Sequence, residues 1–136
     1  MTRDTLLRDL GAFMVLLERA PVQQRYPLRF LYTRLWPPLQ TQQYLLQWQD
    51  QRPLAFVTWA WLTPETSAHY RIHRHVLQAT DWNAGDQLWF MEIIADHTQL
   101  LPLMQAVRQR LPPGTLTQWH RVTASGQVQH HSLRLP

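Results

Sequence analysis

Residues 54–62 read LAFVTWAWL, an almost unbroken apolar run rich in aromatic and β-branched residues. A strand with one wet face alternates apolar and polar side chains. A run without alternation is the pattern of a strand covered on both faces. At nine residues it is too short to cross a bilayer. The chain must therefore build a sheet and supply layers for both of its sides. The preceding run, TQQYLLQWQ at 41–49, is also rich in strand formers, and DQRP between the two reads as a hairpin turn.

The rest of the chain supplies those layers. Leu6, Leu10, Phe13, Met14 and Leu17 recur at helical spacing over 4–19, with Thr2 or Asp4 as cap and Pro21 as stop. LRFLYTRLW at 28–36 predicts a second helix, closed by Pro37-Pro38. Thr63 before Pro64 and Glu65 opens a third, TPETSAHYRIHRHVL at 63–77. DWNAGDQ is a loop and LWFMEIIA, 88–95, a third strand. TQLLPLMQAVRQRL, 98–111, is a helix with Pro102 in its first turn. TLTQWHRV and GQVQHHSL form a closing hairpin. The order αα-ββ-α-β-α-ββ predicts an α/β or α+β domain with a mixed sheet flanked by helices. With 136 residues, 45% hydrophobic and seven tryptophans, residues 1–136 are expected to form a single domain.

The chain has no cysteine, which excludes disulfides and thiolate metal sites. All thirteen basic residues are arginine, which excludes Schiff-base and P-loop lysine chemistry. A GC-rich genome accounts for that bias without any function. The net charge of +4 and isoelectric point near 10.3 suit an acidic partner. The arginines are scattered, so nucleic acid is not favoured. No membrane span and no signal peptide are expected, and the cytoplasm is the default location. The four glycines form no nucleotide-binding loop.

Glu92 is a carboxylate inside an apolar strand. Such a group must be paired or have its proton affinity altered, and either state suits acid–base work; a structural ion pair with an arginine is an equal expectation. Asp96 and His97 follow at the strand end, with helix capping the stronger expectation for Asp96. Glu65, His69 and His73 stand at i, i+4 and i+8 of one helix, a spacing that favours a solvated face over a metal site. His130 and His131 are adjacent in a strand and point to opposite faces. Arg71, Arg74, Arg108 and Arg110 are candidates to hold a phosphate. No metal is expected.

Four stretches carry a resemblance. They are LGAFMVLLERAPVQQRYPL, LWPPLQTQQYLLQWQDQRPLAFVTWAWL, DWNAGDQLWFMEIIA and LMQAVRQRLP. In order and spacing they resemble the toxin-activating lysine acyltransferases, the activators of RTX haemolysins, over residues 10–131. The most specific positions are Pro37, Gln40, Gln43, Tyr44, Trp59, Asp81-Trp82, Gly85-Asp86 and Trp89-Phe90.

The resemblance implies a fold similar to the GCN5-related N-acetyltransferases, a cytoplasmic location and often a dimer. It implies transfer of a fatty acyl group from acyl carrier protein to lysines of a protoxin, with no tightly bound cofactor. The family's essential histidine falls at Gln23, its catalytic aspartate at Glu92 and an asparagine at Arg34. Glutamine does not titrate near neutrality, so Gln23 is expected to orient or stabilise an oxyanion, Glu92 to act as base and Arg34 to anchor a charged substrate. Trp59 and Trp89 are expected to line the substrate channel. Two other roles are open. One is a subunit of a siderophore-microcin maturation complex beside a glycosyltransferase-like partner enzyme. The other is a non-catalytic homologue that binds a carrier protein or peptide.

Overall fold

The computed structural model describes residues 1–136. Five strands form one mixed sheet in the order β1 (Tyr44–Gln49), β2 (Arg52–Leu62), β3 (Gln87–Ile94), β4 (Leu116–Val122) and β5 (Val128–Arg134). Neighbours run antiparallel except β3 and β4, which are parallel. Five α-helices flank the sheet: α1 (Arg3–Leu16), α2 (Pro21–Gln24), α3 (Leu28–Thr41), α4 (Pro64–His73) and α5 (His97–Arg108). The architecture is consistent with the GCN5-related N-acetyltransferase fold.

The apolar run does what its composition demands. Along β2, Phe56 packs with Phe13, Leu16, Leu35 and Leu39 of α1 and α3, while Val57 and Trp59 pack with Leu103 and Val107 of α5. Its far end, Ala60 and Leu62, joins Tyr70, Trp82 and Trp89 under α4. Each fully buried large side chain contributes roughly 1.5–3 kcal/mol, so β2 is the stem on which both layers are mounted.

Caps fix where several helices begin. Thr2 accepts from the Thr5 amide at 3.1 Å, Thr63 from the Thr66 amide at 3.1 Å, and Asp96 from the amides of Thr98 and Gln99, both at 3.0 Å. Gly85 sits against the end of β2. A Cβ there would lie 2.3 Å from the Leu62 carbonyl oxygen, so no larger residue fits without a backbone shift.

Three expectations about helix ends fail. α4 stops at His73 rather than running to residue 77, because Arg74 turns into the left-handed region. α3 does not stop before Pro37-Pro38 but runs through both to Thr41. Proline removes a helical hydrogen bond, but Leu35, Pro38 and Leu39 are buried in the core, and that packing outweighs the local penalty. The strand expected from residue 41 consequently begins at Tyr44, after Gln42 closes α3 in the left-handed region (φ 59°). α5 ends at Arg108 rather than 111, and Pro102 lies in its second turn.

β3 carries an irregularity that matters below. Thr58 pairs with Glu92 but Trp59 pairs with Phe90, so Met91 is an extra residue opposite β2. Trp89 faces α4 and Phe90 faces α5. In a regular strand Glu92 would share the Phe90 face. The bulge reverses that parity and turns Glu92 to the side of α2, α3 and α4.

Candidate active site

β3 and β4 are paired only at Leu88–Thr117 and Trp89–Gln118. Beyond Trp89 the two strands diverge. The opening holds a cavity of about 500 Å³, walled by the second halves of both strands, the α2 elbow, α3 and the end of α4. Apolar walls come from Val22, Phe30, Phe90, Ile93 and Trp119 among others; the polar lining comes from Arg19, Gln23, Tyr26, Arg34, Tyr70, Arg74, Glu92 and His120.

The stretch APVQQRYP, residues 20–27, forms the elbow between α1 and α3 and holds α2. Pro21 occupies the first turn of α2, a single helical turn that buries Gln23. The Gln23 amide donates through Nε2 to Glu92 Oε2 at 2.9 Å. Gln24, by contrast, turns away and donates to the Leu17 carbonyl. Tyr26 OH also approaches Glu92 Oε2, at 3.5 Å.

Arg34 reaches Glu92 from the other side. Its Nε donates to Glu92 Oε1 at 2.7 Å, Nη1 to Tyr70 OH at 2.8 Å and Nη2 to the Met91 carbonyl at 2.5 Å. One guanidinium thus ties α3 to β3 and α4. The pair is enclosed: the Glu92 side chain is 3% exposed and that of Arg34 13%. Burial opposes the Arg34 charge, but Glu92 and Tyr70 more than offset it and hold the guanidinium above its ordinary value. Tyr26 is pushed up to about 12, first by burial and then by the Glu92 charge, and stays a neutral donor.

The three positions singled out by the resemblance therefore meet around one carboxylate, 58 and 69 residues apart in sequence. Glu92 accepts on both oxygens, and three of the five Arg34 donors are spent inside the protein. Trp59 and Trp89 lie elsewhere. Trp59 is packed in the α5 layer beneath Arg110, whose guanidinium carbon is 5.8 Å from the ring centroid. Trp89 donates to Ser67 Oγ at 2.9 Å in the α4 layer. The aromatic walls of the cavity come instead from Phe30, Phe90 and Trp119.

Other candidates separate in the same way. His97 opens α5 outside the cavity. His69 meets His75, Nδ1 to Nδ1 at 2.8 Å, and no three histidine, aspartate or glutamate side chains are arranged to hold a metal. His130 and His131 do face opposite ways, against Trp89 and Trp119 respectively. Of the four phosphate candidates, only Arg74 lines the cavity.

His120 is a lining residue that sequence reasoning missed. Its Nε2 meets the Arg71 carbonyl at 3.1 Å, and its ring lies 5.4 Å from Tyr70 and 4.9 Å from Trp89. Burial lowers its pKa, the Arg71 carbonyl pulls the other way, and Arg74, His130 and Arg34 add to the lowering, so the imidazole is neutral near pH 7. Its local signal, Trp119-His120-Arg121 in a strand, carries nothing that marks the parallel seam.

A mixed five-stranded sheet parted at one parallel seam, with polar side chains gathered in the opening, is consistent with the GCN5-related N-acetyltransferase class of fold. The family described as RTX toxin acyltransferase matches residues 3–133, and the chain belongs to it. It is 34% identical over 103 residues to the RTX-II toxin-activating lysine-acyltransferase ApxIIC of Actinobacillus pleuropneumoniae, covering 76% of this chain and 64% of that one. It is 32% identical over 106 residues to the protein-lysine myristoyltransferase RtxC of Kingella kingae, covering 78% and 64%. A protein-lysine myristoyltransferase HlyC of Escherichia coli is 30% identical over 112 residues, covering 82% and 66%. The chain thus spans just under two thirds of the length of these relatives.

Proposed function

We propose that this chain is a divergent protein acyltransferase-like maturation factor that modifies a bacterial toxin or bacteriocin precursor. Residues 1–136 act as one domain in the cytoplasm, taking the acyl group from acyl carrier protein. The observation that carries the reading is the buried set Gln23, Arg34 and Glu92 on the wall of an open cavity. It occupies the positions where the resemblance sets the family's histidine, asparagine and aspartate.

In this reading Glu92 accepts the proton of the attacking amine, using lone pairs that Gln23 and Arg34 leave free, and returns it to the thiolate released as the new C–N bond forms and the thioester C–S bond breaks. Gln23 Nε2 has a second N–H for the oxyanion that forms as the thioester carbonyl is attacked. Arg34 holds Glu92 and Tyr70 in register. The apolar walls receive the acyl chain.

The test is an acyl-transfer assay with acyl-acyl carrier protein and a lysine-containing protoxin segment, on variants whose fold is checked by circular dichroism. Transfer by the wild type, lost by about 10²-fold or more in Glu92→Gln, supports the reading. A folded Glu92→Gln that transfers at the wild-type rate overturns it. Gln23→His is expected to raise the rate.

One observation favours a second reading. The titratable group is missing at Gln23 while its neighbours remain packed, as in a homologue that binds a carrier protein or peptide without turnover. A role beside a glycosyltransferase-like partner in siderophore-microcin maturation belongs to the same class. An inert wild type that copurifies with such a partner selects it; a homodimer that transfers acyl groups alone excludes it.

A further inference from the structure

The cavity has more positive charge than its own chemistry uses. Four formally charged side chains line it: Arg19, Arg34, Arg74 and Glu92. Glu92 neutralises Arg34 at 2.7 Å. The protein's other ion pair joins Arg8 to Asp9, away from the cavity. Arg19 and Arg74 thus face the opening with no carboxylate opposite them, and the neutral His120 supplies none.

Arg74 is also held there against a local preference. It caps α4 in the left-handed region (φ 48°, ψ 41°), with its amide donating to the Tyr70 carbonyl at 2.9 Å. A glycine satisfies that bond without the Cβ conflict, and glycine is the usual residue at such a helix end. Here the position carries a long cation at the rim of a cavity. Gln42 closes α3 in the same conformation outside the cavity, so what sets Arg74 apart is the place of its side chain on the cavity rim.

Building on the acyltransferase reading, we propose that Arg19 and Arg74 form an anion subsite at the cavity mouth that takes a phosphate group of the substrate. Two guanidiniums match the oxygens and charge of a phosphate, each able to give two parallel N–H bonds. Arg34, the residue the sequence suggested as anchor, has its charge spent on Glu92. The phosphate has two possible sources, a free phosphoryl ligand or the phosphopantetheine arm of an acyl donor.

Calorimetric titration of the whole chain with inorganic phosphate, 4′-phosphopantetheine and pantetheine tests this. Phosphopantetheine bound more tightly than phosphate, with pantetheine silent, supports the subsite and assigns it to the donor arm. Equal binding of both phosphates supports it and assigns a free phosphoryl group. Arg74→Gly and Arg19→Gln are each expected to weaken binding at least tenfold, and Arg108→Gln, outside the cavity, to leave it unchanged. Arg74→Gly is expected to unfold at no lower temperature than the parent, which separates lost binding from lost structure. Failure of both phosphate probes to bind, or wild-type affinity in Arg74→Gly and Arg19→Gln, overturns the subsite. Phosphate binding without acyl transfer leaves the subsite standing and removes the acyltransferase reading. Transfer with an unchanged KM for the acyl donor in the double variant Arg19→Gln/Arg74→Gly removes the subsite and leaves the acyltransferase reading standing.

Discussion

Replacing Arg34 by methionine keeps much of the side-chain volume and removes one charge. It leaves the Glu92 carboxylate, 3% exposed, with only Gln23 and the distant Tyr26 hydroxyl as donors. It also strips a donor from Tyr70 OH and from the Met91 carbonyl. Breaking a buried pair from one side costs about 3–5 kcal/mol, because the remaining charge is uncompensated. Unfolding entropy near 2.1 cal/mol/K per residue makes each kcal/mol worth about 3–4 °C in a chain of this length, so the melting temperature should fall by roughly 10–17 °C. That is a large fraction of the 5–15 kcal/mol typical of a folded domain.

The double variant Arg34→Met/Glu92→Gln should be more stable than Arg34→Met alone, since no charge is left stranded. Urea unfolding followed by tryptophan fluorescence gives the four corners of the cycle. An interaction of about 2–3 kcal/mol is expected. A single-variant cost below about 1 kcal/mol, or singles that simply add, would refute the claim that this pair is a buried, mutually dependent unit.

Acid should destabilise the fold before carboxylates titrate. His75, His120 and His130 all lie below their ordinary value of 6.5, each led by burial. The unfolded chain therefore binds more protons than the folded one just below pH 6.5. Stability is full above that value and is lost as pH falls through the lowered folded values. Melting temperature should drop between pH 7 and 5, and His120→Asn should flatten that drop; an unchanged slope would remove His120 as a contributor. Gly85→Ala, whose Cβ would approach the Leu62 oxygen at 2.3 Å, should destabilise by more than 1 kcal/mol in the same denaturant assay. Asp96→Ala should cost about 1 kcal/mol through loss of the α5 cap.

The strands and the doubly covered β2 were legible because burial on both faces leaves a compositional mark. So was the buried carboxylate of Glu92, which stands out inside an apolar strand. Its partners were not. Nothing local joins Gln23 and Arg34 to residue 92; only the resemblance aligned them, and only tertiary packing brings them to 2.9 and 2.7 Å. Strand alternation alone puts Glu92 on the α5 side, and it takes the Met91 bulge to correct that. Pro37-Pro38 misled in the opposite direction, because a strong local rule was overridden by the core contacts of Leu35 and Leu39. Tyr70 and His120 entered the site through folding around the β3–β4 seam, whose pairs Leu88–Thr117 and Trp89–Gln118 join residues far apart in sequence, which no local pattern encodes.

The same seam divides the sheet mechanically. β4 and β5 are paired along seven positions, but only two pairs fasten that hairpin to β3. The hairpin is thus joined to β3 by a short run of pairs, and the opening between Phe90 and Trp119 begins where that run ends. In the acyltransferase reading proposed above, substitutions along that seam would alter the width of the apolar opening while the Glu92–Arg34 pair, rooted in β3 and α3, stayed in place.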